Sequence, residues 1–158
     1  RIAGNYIDQE IVKYVHKTHN LVIGQKTAER AKMEIAILSE DEEEKFARVS
    51  GRDLVTGLPA ATKISSKEMR KLLLPIFDEV INIVYSVLEQ TPPELSADLV
   101  DNGIVVNGGG ALIPGVKEYV EEMVNLPVKI SDSPLTDVVE GTKVLLKNRG
   151  NYLINPQD

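Results

Sequence analysis

The sequence predicts an α/β protein built around a parallel sheet. Three observations carry that prediction. From residue 104 onward, short β-branched runs alternate with amphipathic stretches in the order strand, loop, helix, strand, helix. Such alternation implies parallel strands with helices on the faces of the sheet. Upstream, the capping box Ser65-Ser66-Lys67-Glu68 opens the longest apolar helical pattern in the chain,. The 158 residues are 42% apolar, ordinary for a globular chain, and the length suits one domain or two small lobes.

The elements follow in order. Arg1-Ile2-Ala3-Gly4 reads as the tail of a strand running into a helix. Over residues 6–18, Ile7, Ile11, Tyr14 and Val15 fall on one helical face,. Asn5 with Asp8 three residues on resembles an N-cap arrangement, and His16, Lys17 and His19 cluster where a helix C-terminus favours cations,. A second helix is predicted over 27–38, with Thr27 as N-cap and Ala28, Ala31, Ile35 and Leu38 as a narrow apolar stripe,. Glu29 and Lys32, three apart, neighbour each other on its surface,. After the acidic run Glu40 to Glu44, residues 45–50 and 61–65 read as an antiparallel pair joined by a loop containing Gly51, Gly57 and Pro59,.

The long helix covers residues 66–90, and Pro75 inside it predicts a kink or a break into two segments,. Pro92-Pro93 stops that run and restarts a helix locally. Ile104-Val105-Val106 is a short strand. The loop Asn107-Gly108-Gly109-Gly110-Ala111-Leu112-Ile113-Pro114-Gly115 follows, then a helix marked by Val116, Tyr119, Val120 and Met123. A strand at 128–130 and a last helix over 136–146 complete the pattern, and the polar tail from Asn148 is expected to fray,.

Composition excludes several classes of function. Without Cys there is no disulfide framework, thiolate zinc site or cysteine nucleophile,. No apolar run approaches the roughly 18 residues of a membrane span, and no apolar signal segment opens the chain,. With 24 acidic against 18 basic side chains, the net charge of −6 argues against binding nucleic acid,. His16 and His19 have a metal-compatible spacing, but no second ligand pair accompanies them,. The acidic run lacks the glycine and ligand pattern of an EF-hand,.

The triplet Gly108-Gly109-Gly110 is the most informative local feature. Glycines directly after a strand let a backbone approach a ligand, and ligands bind at strand ends in α/β sheets. Local sequence alone fits such a loop and a merely Gly-rich turn equally well. The loop is not a G-x-G-x-x-G fingerprint, because Ile113 stands where the last glycine belongs, and the chain contains no G-K-[ST],.

From Asn107 to Leu112 the sequence resembles the adenosine motif of the actin superfamily, shared by actin, sugar kinases and heat-shock-70-type chaperones. Further segments resemble one branch of it, MreB, the bacterial actin. These are Arg1-Ile2-Ala3-Gly4-Asn5 with Asp8, Ile23-Gly24 with Thr27-Ala28-Glu29-Arg30 and Lys32, Val49-Ser50-Gly51-Arg52-Asp53-Leu54, Leu88 to Leu95, and Pro134-Leu135-Thr136 with Gly141. They occur in the family's order across nearly the whole chain. Asn107 departs from the usual Thr or Ser, Ala31 from a larger aliphatic residue and Ala36 from Gly.

The resemblance implies an actin-like ATPase fold of the ribonuclease-H-like type: an incomplete subdomain IIA (residues 1–20 and 76–158) with an inserted α+β subdomain IIB (residues 21–75). It implies ATP or ADP with Mg as cofactor. Contacts to the adenosine part are carried over to Glu29, Arg30, Ala31 and Lys32, and to Gly108, Gly109, Gly110, Ala111 and Leu112. A Glu carboxylate can accept from ribose hydroxyls, and a Lys one turn on can lay its stem beside the base. Spacing alone would make Glu29 and Lys32 a surface ion pair of little worth. The family's phosphate loops, catalytic carboxylate and membrane-binding loop match no segment here, so no catalytic or metal-binding residue is expected and the chain by itself is expected not to hydrolyse ATP. The implied partners are further copies, in cytoplasmic filaments that contact the membrane through segments not in this sequence. The alternative is part of a phosphotransferase or chaperone ATPase of the same superfamily. The two clear strands, with the stub at Ile2, predict a sheet that exposes an edge or borrows strands from a partner.

Overall fold

The computed structural model describes residues 4–40 and 42–148. The expected strand stub at Ile2 and the tail beyond residue 148 lie outside them.

Helix α1, Gly4–His19, buries Ile7, Ile11 and Val15 at the predicted spacing. It also buries Asp8, and Asn5 already lies within the helix, so the Asn5–Asp8 N-cap expectation is corrected. Asn20 turns the chain with φ +52° into β1, Leu21–Val22, which pairs antiparallel with Arg52 and Asp53. Helix α2 spans Gln25–Ile35. It starts before Thr27, because the amides of Thr27 and Ala28 both donate to the Gly24 carbonyl. Gly24 is its N-cap, and no side chain caps it. It also ends earlier than the apolar stripe suggested. Ala36 turns to extended backbone, and Leu38 is buried beyond the helix with its N–H donating to the Pro114 carbonyl at 2.8 Å.

Strands β2, Phe46–Asp53, and β3, Pro59–Ser65, form the predicted antiparallel pair, in register from Phe46↔Ser65 to Arg52↔Pro59. The sheet order is β1-β2-β3. Gly51 is needed where β1 crosses, since a Cβ there would lie 2.0 Å from the Val22 carbonyl oxygen. The inward side of β2, Ala47 and Val49, is fully buried.

Helix α3, Ser66–Glu89, carries the complete capping box: the Glu68 amide donates to Ser65 Oγ at 3.2 Å, and the Ser65 amide donates to Glu68 Oε2 at 2.8 Å. Pro75 does not divide it into two helices. Its buried face runs through the proline, with Met69 and Leu73 before and Ile76, Phe77 and Ile81 after, so packing on both sides keeps it one helix. Beyond Ile81 the apolar pattern continues while Ile83 and Val87 stand more than half exposed. Helix α4 is Pro93–Asn102. Strands β4, Ile104–Val106, and β5, Val128–Ile130, pair in parallel as expected. Among the described residues this sheet has two strands. Between them lie a 3-10 turn, Gly109–Leu112, and helix α5, Val116–Val124; helix α6, Asp137–Lys147, follows β5 and buries no residue.

One apolar cluster runs through the molecule. It joins Ile7, Ile11 and Val15 of α1 to α2, to Ala47, Val49 and Ile64 of the three-stranded sheet, to α3, and to Val116, Val120 and Val128 around β5. Where the glycine loop ends, Gly115 adopts φ +85° against the chain leaving α2. A Cβ there would meet Ser39 N at 2.3 Å and Leu38 C at 2.9 Å. This contact clamps the glycine loop against α2.

Candidate functional site

The clamp brings three segments around one cavity of about 420 Å³: the start of α1, one face of α2, and the glycine loop with Leu135. Gly4 and Ile7 line it from α1, and Glu29, Lys32, Met33 and Ala36 from α2. Gly109, Gly110, Leu112, Ile113 and Pro114 complete the wall with Leu135.

Helical geometry sorts the expected α2 residues. Positions 29, 32, 33 and 36 follow the i, i+3, i+4, i+7 spacing of one face, and all four line the cavity. Ala31 faces the core and is 1% exposed. Arg30 points to the sheet, donating from Nη2 to the Arg48 carbonyl at 3.3 Å. A contiguous run of four residues therefore cannot present all its side chains to one ligand. The glycine loop divides likewise. Gly109 and Leu112, three apart in a 3-10 turn, lie on one side of it, and with Gly110 they line the cavity,. Ala111 is buried, and the Gly108 amide is committed to the Pro134 carbonyl at 2.7 Å. At Gly110 nothing lies within 4 Å of the place a Cβ would take, so the bare backbone there is open to a ligand.

Lys32 is not paired with Glu29. Its Nζ lies 2.7 Å from Oδ1 of Asp8, and the two side chains are 16% and 3% exposed. Nζ also donates to the Gly4 carbonyl at 3.3 Å. Met33 and Leu135 were not among the expected site residues, yet they are the most exposed apolar groups on the cavity wall, at 76% and 69%. Met33 had a signal in the sequence: an apolar side chain beside Lys32, off the core-facing stripe Ala28, Ala31, Ile35. Asp8 stood out only beside Asn5 and within the resembling segment, and nothing in the sequence tied it to Lys32, which lies on another helix.

His19 takes part in a separate polar junction. Its Nε2 is 3.3 Å from Glu68 Oε1, its Nδ1 is 3.4 Å from Thr62 Oγ1, and Tyr14 donates to Glu68 Oε1 at 2.8 Å. Burial pushes the Glu68 carboxyl up, but donors from Ser65 and Tyr14, with the neighbouring His19, hold it below the usual carboxylate range,. The same contact with Glu68, after burial, raises the Tyr14 phenol. Among the described residues no three His, Asp or Glu side chains are grouped to hold a metal ion.

The three-stranded sheet, the strand–glycine turn–helix unit and the cavity that α1, α2 and the glycine loop enclose define this chain as actin-like. Within that class it belongs to the MreB/Mbl protein family, whose sequence profile matches residues 1–153. It is 37% identical over 148 residues to the cell shape-determining protein Mbl of Bacillus subtilis, covering 94% of this chain and 44% of that protein. It is 36% identical over 141 residues to the cell shape-determining protein MreB of Escherichia coli, covering 89% and 41%. The chain thus spans less than half the length of these relatives. Among solved structures, MreB5 of Spiroplasma citri bound to ADP superposes with a TM-score of 0.88 at 44% identity, covering 96% of this chain and 47% of that one. The MamK double helical filament, at 23% identity and a TM-score of 0.74, shares the fold.

Proposed function

We propose that the cavity between α1, α2 and the glycine loop takes the nucleoside part of ATP or ADP, and that the chain serves in a nucleotide-dependent filament subunit that determines bacterial cell shape. The observation that carries this reading is the convergence of Glu29, Lys32, Gly109 and Gly110 on one cavity. Their chemistry fits the ligand. The Glu29 carboxylate accepts from ribose hydroxyls. The Lys32 stem, Met33 and Leu135 supply apolar area for the flat face of a base. The backbone at Gly110 admits close approach. Arg30, Ala31, Gly108 and Ala111 act on the nucleotide through the wall they support. Similarity to MreB5 bound to ADP, and to proteins named for cell-shape determination, supports the same reading.

The same proposal divides the chain into one lobe of residues 1–20 and 76–158 and a second of residues 21–75. Mg enters with the phosphates. Further copies of the subunit are the partners, in cytoplasmic filaments at the membrane; no described helix is long and apolar enough to cross one. Membership of the MreB/Mbl family leaves the phosphotransferase alternative without support.

Titration calorimetry with ADP on the intact protein tests the site. Glu29→Ala and Lys32→Met are each expected to weaken binding by about tenfold, the worth of one charge-assisted hydrogen bond. Unchanged affinity in both would refute the assignment.

A further inference from the structure

We infer that Asp8 is the positioning residue of this site: a buried carboxylate that fixes and neutralises the Lys32 ammonium, so that the cavity receives an oriented donor and an apolar stem in place of a mobile cation. The inference rests on the nucleoside reading above and adds a residue outside the cavity wall.

Asp8 is 2% exposed, in the second turn of α1, whose other buried residues are Ile7, Ile11 and Val15. A carboxylate in such surroundings is costly unless a charge answers it. Lys32, on the neighbouring helix, answers it at 2.7 Å. A lysine ammonium has three donors and a flexible stem. Here the Gly4 carbonyl takes one donor, and the carboxylate claims the charge. The stem of Lys32 is thereby drawn down along the cavity wall, and its rotamer freedom is given up before any ligand arrives. A pair that is neutral as a whole suits a neutral acceptor, a sugar hydroxyl or a ring nitrogen. Phosphate would favour an unpaired cation.

The test is a double-mutant cycle in the intact protein, read by calorimetry with ADP, together with the side-chain ammonium resonance of Lys32 in ¹H–¹⁵N NMR. Asp8→Asn and Lys32→Met are each expected to weaken ADP binding by about tenfold, and the double variant no further, because both remove one unit. The Lys32 resonance is expected in the unliganded parent protein, protected from exchange, and absent from Asp8→Asn; a merely structural role for Asp8 would not move it selectively. Losses that multiply in the double variant, or an Asp8→Asn protein that binds like the parent while Lys32→Met does not, would overturn the positioning role and leave the nucleoside reading standing. A Lys32→Met protein that binds like the parent would overturn the inference, and with an unchanged Glu29→Ala protein beside it the nucleoside reading as well. Should Asp8→Asn fail to fold, the parent protein decides: a Lys32 ammonium exchanging as fast as that of exposed Lys143 overturns the inference.

Discussion

Gly115 is the position where one added methyl group should separate the two walls of the site. Gly115→Ala meets two costs. At φ +85° an L-residue is strained, by about 1–2 kcal/mol. Its Cβ would also stand 2.3 Å from the Ser39 amide nitrogen and 2.9 Å from the Leu38 carbonyl carbon. Both atoms belong to backbone, so the chain leaving α2 must move. That movement breaks the 2.8 Å bond from the Leu38 amide to the Pro114 carbonyl, about 1–3 kcal/mol if the buried donor is left unpaired. Together the loss is about 2–5 kcal/mol, a large part of an ordinary domain's stability. It corresponds to a fall in melting temperature of the order of 10 °C for a chain of this size. Urea and thermal unfolding followed by circular dichroism measure it, with Gly110→Ala as the comparison. Nothing lies within 4 Å of a Cβ at Gly110, so that variant is expected to melt with the parent while crowding the cavity and weakening ADP. A Gly115→Ala protein within about 0.5 kcal/mol of the parent, the usual range of a surface change, would refute the clamp.

Lys32→Met is expected to cost about 3–5 kcal/mol in chemical denaturation by stranding the buried carboxylate, and the apolar pair Asp8→Leu with Lys32→Met to recover most of it. Glu68 has a depressed pKa. Its contribution to stability is therefore whole above the ordinary carboxylate value of 4.5 and is lost as pH falls through the lower folded value. Glu68→Gln should flatten the acid limb of a stability–pH curve while keeping the capping box, since a Gln oxygen also accepts from the Ser65 amide,, and cost about 1 kcal/mol at neutral pH through the weaker, uncharged acceptor. The Tyr119 phenol, raised to about 12 first by burial and then by its bond to Asp78, favours folding below pH 10 and loses that contribution as pH rises toward 12. Absorbance titration of Asp78→Asn should show Tyr119 ionising closer to its ordinary value of 10.0.

Local order was legible in the sequence where its cause is local. Ile7, Ile11 and Val15 repeat at the helical period, Ser65 and Glu68 cap reciprocally within four residues, and Ile104–Val106 leads into a glycine turn. These interactions close within a few positions, so the sequence determined where most elements lie and which faces they bury. It also determined that Glu29 and Lys32 share a face of α2. The boundaries of α2 were less accessible. Gly24 caps it without a side-chain signal, and Leu38 is held by a backbone bond to Pro114, not by helical periodicity. Strand β1 was invisible for a similar reason: two residues become a strand only because β2 supplies their partners and Gly51 the room.

The tertiary structure alone decided which site residues meet. Whether Lys32 pairs with Glu29 or Asp8 depends on how α1 packs on α2, since the nearer neighbour in sequence is solvent-exposed and the farther one is a buried charge that needs a partner. Whether the glycine loop is a turn or a wall depends on Gly115 fitting against Ser39, 76 positions earlier in the chain. Contacts between segments so far apart arise from packing and charge compensation in three dimensions, and no periodicity along the chain encodes them.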